Sequence, residues 1–321
     1  MFISTKKLYA TVIFAAFLIV GTVILLYPTG SNEQIVVDSD KVQALSDHQP
    51  STDDFGTTET DEDNSPVAED NMVENVPSQS ALPDEQKSVE STAVNNNKLS
   101  WYYMPNKEHR LPEVNSMGKA LLSEYDGIYH GDINNKVIYL TFDEGYENGY
   151  TPRILDVLKE TEVKAAFFIT GDYLKKNEEL VKRMLAEGHI VGNHTQNHPS
   201  LPDSSDSALK SEISTLADSY NNITGGQMKY LRPPMGEYSA RSLKITREMG
   251  YINVFWSVAM ADWVPDAGTP EQNKKTVMDR LHDGAIILLH AVNQPNATML
   301  PDLINECKQQ GYRFGTLDEI K

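Results

Sequence analysis

Two histidines separated by three residues are the first feature of this sequence that could do metal-assisted chemistry. His194 and His198 have i, i+4 spacing, which on a helical turn places both imidazoles on one face, able to bind one divalent ion. Pro199 ends any long helix at this point, so we expect the pair to lie on a short turn. Two surface histidines near a helix start would have the same spacing, and the pair alone leaves both interpretations open.

Two adjacent acids, Asp143 and Glu144, directly follow an apolar segment. Residues 137–142 (Val-Ile-Tyr-Leu-Thr-Phe) have the β-branched and aromatic composition of a buried strand. One acid could bind a metal ion while the other takes a proton from metal-bound water. A helix N-cap is the alternative role, but the next helical pattern begins several residues later. The position at a strand end favours the catalytic interpretation.

His290 ends the most apolar strand pattern in the chain, residues 285–289. A buried structural histidine is one interpretation. The position at a strand end favours a general acid, whose pKa a nearby carboxylate would tune. Asp262 is the candidate for that carboxylate, and Trp263 beside it is either a core residue or a wall for a sugar ring.

Arg232 precedes a rigid pair of prolines, Pro233 and Pro234. An arginine held in this way can bind a carboxylate through two parallel hydrogen bonds. A structural salt bridge is the alternative, and the two roles are compatible.

Cys307 is the one cysteine of the chain, which excludes an internal disulfide framework and a thiolate zinc site, and we expect it in the core.

Alternating strand and helix patterns position these residues. Strands are predicted at 137–142, 164–170, 189–192, 228–231, 253–258, 285–289 and around 312–314, and helices at 150–161, 172–187, 204–223, 239–249, 270–282 and about 298–310. Repeated β-then-α order implies parallel strands with right-handed crossovers. The predicted fold is therefore an α/β distorted barrel of about seven parallel strands. In such barrels the chemistry lies at the C-terminal strand ends, where most of the candidate residues stand.

Charge and composition divide the chain into three parts. It has 321 residues and a net charge of −18, which argues against binding nucleic acid or an anionic membrane surface through charge. Residues 31–100 contain 16 Asp and Glu against three Lys, with few aromatic residues, and are predicted to form an acidic disordered linker. Residues 101–321 are predicted to form one globular domain.

The first 30 residues are predicted to be a membrane anchor. Residues 8–27 carry no charge and are long enough to span a bilayer as a helix. Lys6 and Lys7 precede this segment, which predicts a single-pass protein with a cytoplasmic N-terminus and an extracytoplasmic domain. A cleaved signal peptide is the alternative, but the segment ends Leu-Leu-Tyr-Pro-Thr-Gly, without the small residues of a cleavage site.

Five motifs in order resemble those of the polysaccharide deacetylases of carbohydrate esterase family four, the NodB-homology domain. They are Thr141-Phe-Asp-Glu-Gly145, His194-Thr-Gln-Asn-His198, Arg232-Pro-Pro-Met-Gly236, Asp262-Trp263 and Leu288-Leu-His290. The segments Tyr146–Pro152, Trp101-Tyr-Tyr and Asn106-Lys-Glu-His resemble the delta-lactam-biosynthetic branch of that family. Enzymes of this branch remove the acetyl group from N-acetylmuramic acid in spore cortex peptidoglycan, and the freed amine can then close the muramic δ-lactam.

The resemblance implies a role for each candidate residue. Asp143 would be the base and His290 the acid, with Arg232 orienting the first and Asp262 tuning the second. His194 and His198 would bind the metal ion, with Glu144 as third ligand, and substrate contacts are expected from Trp263, Pro234 and Tyr146. Glu144 replaces the family's usual aspartate and is one methylene longer, so its carboxylate either misses the ion or reaches it only after a shift, which leaves the third ligand and tight metal binding open. Two imidazoles and a carboxylate suit zinc best, with other divalent ions as alternatives.

The resulting expectation is a metal-dependent peptidoglycan N-acetylmuramic acid deacetylase, monomeric, with glycan strands as its partner. Two alternatives remain open at this point. One is a deacetylase for another N-acetylated polymer, such as wall N-acetylglucosamine or chitin. The other is a catalytically weak protein that binds wall glycan, which the replacement at Glu144 favours and the intact Asp143, Arg232 and His290 oppose.

Overall fold

The computed structural model describes residues 94–320. The predicted membrane anchor and nearly all of the predicted linker lie outside these residues. Within residues 94–320, no helix is both long and apolar enough to cross a membrane.

Eleven strands and eight α-helices are present between residues 94 and 320. The strands are β1 (Leu99–Ser100), β2 (Tyr103–Met104), β3 (Glu113–Val114), β4 (Val137–Glu144), β5 (Ala165–Ile169), β6 (Ile190–Asn193), β7 (Tyr230–Leu231), β8 (Glu237–Tyr238), β9 (Ile252–Asn253), β10 (Ile286–His290) and β11 (Arg313–Gly315). The helices are α1 (Ser116–Glu124), α2 (Thr151–Glu160), α3 (Gly171–Lys176), α4 (Glu178–Ala186), α5 (Asp206–Thr224), α6 (Ala240–Glu248), α7 (Pro270–Arg280) and α8 (Gln294–Gln309).

Seven parallel strands form the main sheet, as the sequence predicts. The strand order is β10-β4-β5-β6-β7-β9, and β11 pairs with the first residues of β4. The chain that follows β9 then returns to the other edge, where Val258 bridges Ile287 in parallel and the amide of Leu288 donates to the carbonyl of Val258 at 2.8 Å. The sheet therefore curls into the distorted barrel that the strand and helix pattern predicts.

Strand β4 is buried along its whole length because both of its faces are covered. Successive side chains of a strand point to opposite faces. One face, with Leu140 and Phe142, packs against the surrounding helices, and Phe142 stacks on Phe167 of β5 with ring centroids 5.1 Å apart. The other face, with Val137 and Tyr139, packs inside the barrel. This alternation decides which of the two acids at the end of β4 enters the site.

Three predicted elements differ from the structure. The helix predicted at 172–187 is two helices, α3 and α4, which meet at Asn177. The strand predicted at 253–258 is a two-residue strand, β9, followed by single bridges. Helix α8 begins at Gln294 and not near residue 298, because the side chain of Asn293 caps it by accepting a hydrogen bond from the amide of Asn296.

The folded region begins before Trp101. The carbonyl of Asn95 accepts a hydrogen bond from the amide of Arg241, and the side chain of Asn96 accepts one from Ser239. Strand β1 pairs antiparallel with β8. Residues 95–100, assigned to the linker from composition, are thus part of the domain surface. Cys307 is buried in the core, as predicted.

Candidate active site

Five elements of the barrel bring the candidate residues together at the C-terminal ends of the strands. Asp143 is the last residue but one of β4 and His290 ends β10, and the two are paired neighbours in the sheet. His194 follows β6, Arg232 follows β7, and Asp262 lies on the chain beyond β9. This is the edge of a parallel barrel where chemistry is expected.

Arg232 holds one oxygen of Asp143. Its guanidinium is fully buried and lies over the ring of Phe168, 4.2 Å from the centroid. Nη1 donates to Asp143 Oδ1 at 2.7 Å, while Nη2 donates to the hydroxyl of Thr141 at 2.9 Å. The expectation that Arg232 makes two parallel hydrogen bonds to one carboxylate is therefore wrong, because Nη2 binds Thr141, two residues before Asp143 on β4. The arrangement leaves Asp143 Oδ2 available to the site.

Asp143 is held in its charged form. Burial alone would raise its pKa, but the guanidinium of Arg232, helped by the neighbouring imidazoles and by its own hydrogen bond to the carboxylate, outweighs burial, and the pKa lies below its ordinary value. Oδ2 lies 3.6 Å from His194 Nε2. An ionised carboxylate in this position can accept a proton.

The two histidines converge on a loop and not on the expected helical turn. Residues 194–200 are irregular, with Thr195 and His198 in the left-handed region at φ 68° and 58°. The Nε2 atoms of the two rings nevertheless lie 3.2 Å apart. The carbonyl of Arg232 accepts a hydrogen bond from His194 Nδ1 at 2.8 Å, which leaves the lone pair on Nε2. Burial lowers the pKa of both histidines, that of His198 to about 3, so both rings are neutral.

This pair fits a divalent metal ion. Two nitrogens bound at about 2.0–2.1 Å to a tetrahedral ion lie roughly 3.3 Å apart, close to the spacing of the two Nε2 atoms. Neutral imidazoles with free lone pairs are the form that binds metal. The described residues 94–320 contain no group of three or more His, Cys, Asp or Glu side chains arranged to hold a metal ion.

Glu144 is not brought to the histidines, which contradicts its expected role as third ligand. As the next residue of the same strand, its side chain points to the face opposite that of Asp143. It is fully buried, and within residues 94–320 neither carboxyl oxygen has a hydrogen-bond partner. Burial, with the negative charges of Glu147 and Asp143, raises its pKa well above the ordinary value.

His290 and Asp262 form a second buried pair. Asp262 Oδ1 lies 2.7 Å from His290 Nδ1, and Oδ2 accepts the backbone N–H of His290 at 2.8 Å. Burial lowers the pKa of His290, but the carboxylate of Asp262, helped by Asp143, outweighs it and the net pKa is raised. The protonated ring is therefore stabilised, as a general acid requires.

Exposed apolar side chains lie close in sequence to the residues of these pairs. Trp263 is 42% exposed, and its ring centroid lies 5.2 Å from that of His290. Tyr146 is 52% exposed just beyond β4. Pro234 is buried, so it offers no surface to a substrate, whereas its neighbour Met235 is 44% exposed with φ 58°. The sequence analysis gives Met235 no role although it lies within the Arg232-to-Gly236 motif, because its exposure and its positive φ are visible only in the structure.

Comparison with known proteins decides the family. The family model described as polysaccharide deacetylase matches residues 130–254. The peptidoglycan-N-acetylmuramic acid deacetylase PdaA of Bacillus subtilis is 41% identical over 238 residues, covering 73% of this chain and 89% of PdaA. The chain belongs to the polysaccharide deacetylase family. The enzymes of this family are metal-dependent hydrolases that act on N-acetyl groups, which fits the neutral histidine pair and the acid and base beside it.

Solved structures and a further relative agree with this membership. The structure of PdaA, a family 4 carbohydrate esterase, superposes with a TM-score of 0.69 over 71% of this chain and 98% of that chain. A peptidoglycan-N-acetylglucosamine deacetylase of Bacillus cereus is 32% identical, covering 70% of this polysaccharide deacetylase and 84% of the relative. A family 4 pseudoenzyme from Bacillus anthracis is 30% identical with a TM-score of 0.58, covering 60% of this chain and 68% of its own.

Proposed function

We propose that this polysaccharide deacetylase removes the acetyl group from N-acetylmuramic acid residues of peptidoglycan, as a step towards muramic δ-lactam in the spore cortex. The observation that carries the proposal is the pairing, across neighbouring strands, of Asp143, whose pKa is lowered by Arg232, with His290, whose pKa is raised by Asp262, in a chain that covers 89% of PdaA. Tyr146 and the segment to Pro152, which resemble the δ-lactam branch, support the choice of muramic residues.

Two proton transfers complete the hydrolysis. Asp143 Oδ2 takes a proton from the attacking water, while Arg232 keeps Oδ1 in place. His290, held through Nδ1 by Asp262, donates its Nε2 proton to the nitrogen that leaves as the free amine. Each positioned proton transfer contributes about 10²- to 10⁴-fold to the rate.

His194 and His198 would hold the divalent ion through their Nε2 atoms, with zinc as the proposed ion. When bound, such an ion supplies polarisation of the acetamide carbonyl and stabilises the charge that develops on its oxygen. The neutral rings and the tautomer set by the Arg232 carbonyl are what this chain contributes to that chemistry.

The proposed setting is the outer face of the cell membrane. Its support is the uncharged segment 8–27 behind Lys6 and Lys7, together with a wall polymer as substrate. We also propose that the enzyme acts as a monomer on the glycan strands.

A second candidate is a wall-binding protein with weak catalysis, and the position of Glu144 favours it. With that carboxylate on the helix side of β4, His194 and His198 would be the two ligands that residues 94–320 offer the ion, and a family 4 protein of Bacillus anthracis is a pseudoenzyme. The two intact acid–base pairs argue for catalysis.

Mass spectrometry of the glycan tests the proposal. The full-length chain is incubated with peptide-bearing and peptide-stripped wall glycan, with zinc, manganese or magnesium. Acetyl loss from muramic residues is the expected result, and the two substrates show whether the stem peptide must be removed first. Loss from glucosamine residues alone would reassign the substrate, and no loss with any ion, combined with retained glycan binding, would favour the binding protein.

A further inference from the structure

A buried amide links the carboxylate of Asp262 to the strand end that carries His290. Asn296 lies in the first turn of α8 and is almost completely buried. Its Nδ2 donates to Asp262 Oδ2 and, at 3.0 Å, to the backbone carbonyl of His290. Asp262 and His290, which we call the acid pair, are thus joined by the side chain of a third residue.

A second buried asparagine, Asn273 on α7, orients the amide of Asn296. Its Nδ2 donates to Asn296 Oδ1 at 3.1 Å. Both acceptors of Asn296 Nδ2 are oxygens without a proton to give, so a flipped amide would place its own oxygen against them. Every hydrogen-bonding atom of the Asn296 amide therefore has a partner in one orientation only.

These contacts give both oxygens of the Asp262 carboxylate hydrogen-bond partners. Asp262 Oδ2 accepts from the amide of His290 and from Asn296, which leaves Oδ1 for His290 Nδ1. The backbone carbonyl of Asp262 in turn accepts from the side chain of Asn293. A carboxylate with both oxygens committed in this way cannot rotate without breaking buried hydrogen bonds, each of which is costly to lose.

We propose that Asn296, oriented by Asn273, is a positioning residue that holds Asp262 in the rotamer that faces His290 Nδ1 and thereby fixes the ring of the general acid. Its effect on turnover rests on the proposed function, whereas its effect on the Asp262–His290 hydrogen bond does not.

Loss of this amide acts on the acid and not on substrate or metal binding. Without Asn296, Oδ2 keeps one donor, and the carboxylate is free to turn away from the ring. The protonated form of His290 then loses part of its stabilisation. The other charged or titratable groups that act on His290 are unchanged by the substitution: Asp143, Arg232, His194 and His198.

Asn296→Ala and Asn273→Ala test the proposal, with Asn253→Ala as the matched control. Asn253 is also a buried asparagine that donates to a side chain, Thr246, but it lies on β9 outside the acid pair. For Asn296→Ala we expect kcat to fall at least about tenfold, KM to change less than about twofold, and the basic limb of the pH profile to move to lower pH. Asn273→Ala should show the same pattern at about threefold, and the control none of it.

Nuclear magnetic resonance separates this proposal from the proposed function. The downfield Nδ1 proton of His290, identified by its absence in His290→Gln, should be sharp in the wild-type chain and in Asn253→Ala. It should be broadened by exchange in Asn296→Ala, whether or not the chain deacetylates glycan. A sharp, unshifted signal in Asn296→Ala would overturn the proposal. If Asn296→Ala does not fold, the same signal in Asn273→Ala decides, because Asn273 contacts neither Asp262 nor His290.

Discussion

Two neighbouring carboxyl groups, Asp143 and Glu144, occupy opposite faces of β4 and have opposite charge states. Both are buried, yet the pKa of Asp143 is lowered and that of Glu144 is raised well above its ordinary value. Asp143 faces the arginine and histidines inside the barrel, whereas Glu144 faces the apolar helix side, where the negative charge of Glu147 adds to the effect of burial and raises its pKa further. Partners, and not burial, decide which acid does chemistry.

The same contrast extends to the proposed metal site. The inner face supplies neutral imidazoles and a charged acceptor, which are the groups that a metal-assisted hydrolysis uses. The helix side supplies a buried carboxyl group whose pKa is raised by burial and by neighbouring negative charge, which is a cost to stability and not a catalytic tool.

Removing the charge of Asp143, on the barrel side of β4, should have the largest effect on turnover. Asp143→Asn keeps the size of the side chain but removes the proton acceptor, so we expect kcat to fall by about 10³-fold. It also leaves Arg232 buried without its counter-charge, which should lower the free energy of unfolding by about 3 kcal/mol. Steady-state kinetics and urea unfolding measure the two effects. Retained activity would show that another group is the base.

The second inner pair should give the next largest effect. Asp262→Asn removes the carboxylate that raises the pKa of His290, and we expect kcat to fall by about 10²-fold. Because the acid acts in its protonated form, a lower pKa moves the basic limb of the pH profile to lower pH. The acidic limb, set by Asp143, should stay in place. A profile that moves to higher pH would contradict the assignment of His290 as the acid.

The outer face should respond in the opposite direction. Glu144→Gln replaces a buried acid that must stay protonated in the folded chain, so the variant should be more stable at pH 7. The pKa of Glu144 is higher in the folded chain than in the unfolded chain, so this group does not lower the stability of the wild type below about pH 4.5. Above that pH the free energy of unfolding falls by about 1.4 kcal/mol per pH unit, until the pKa of the folded state is reached.

Urea unfolding of both chains at several pH values measures this difference, and the two curves should meet near pH 4. Activity and metal affinity of Glu144→Gln should stay within about threefold of the wild type. A large loss of metal affinity would instead make Glu144 a ligand, and the contrast between the two faces would be lost.

Substitution of the exposed Trp263, beside His290, should have the smallest effect on turnover. Trp263→Ala removes a ring beside His290 that contacts solvent, so we expect KM for glycan to rise about fivefold, with little change in kcat. Met117→Ala, which is also an exposed apolar residue but lies on α1, serves as the control and should leave KM unchanged. A fall in kcat alone would show that Trp263 acts on the acid and not on the sugar.

Much of this could be predicted from the sequence, because strand ends and motifs are local signals. The β-branched run before Asp143 and the position of His290 after an apolar strand predicted their meeting. The opposite faces of Asp143 and Glu144 also follow from the two-residue period of a strand, a signal that the comparison with family motifs obscured.

Other features depend on contacts that sequence patterns do not show. Asn273 and Asn296 lie on different helices, and their amides gain a role only when α7 and α8 pack together. Asn95 and Asn96 have the composition of the linker, and it is their hydrogen bonds to α6, to its cap and to Pro202 that include them in the fold. The cap at Asn293 was a readable helix start, but the predicted helix began four residues too late.

Acetyl loss from muramic residues, compared among the wild type, Asp143→Asn and Glu144→Gln, tests the central claim most directly. The full-length chains are incubated with the same metal-supplemented wall glycan, and the products are measured by mass spectrometry. We predict deacetylated muramic residues with the wild type and Glu144→Gln, and none above background with Asp143→Asn. Loss of activity in Glu144→Gln with activity retained in Asp143→Asn would contradict the account.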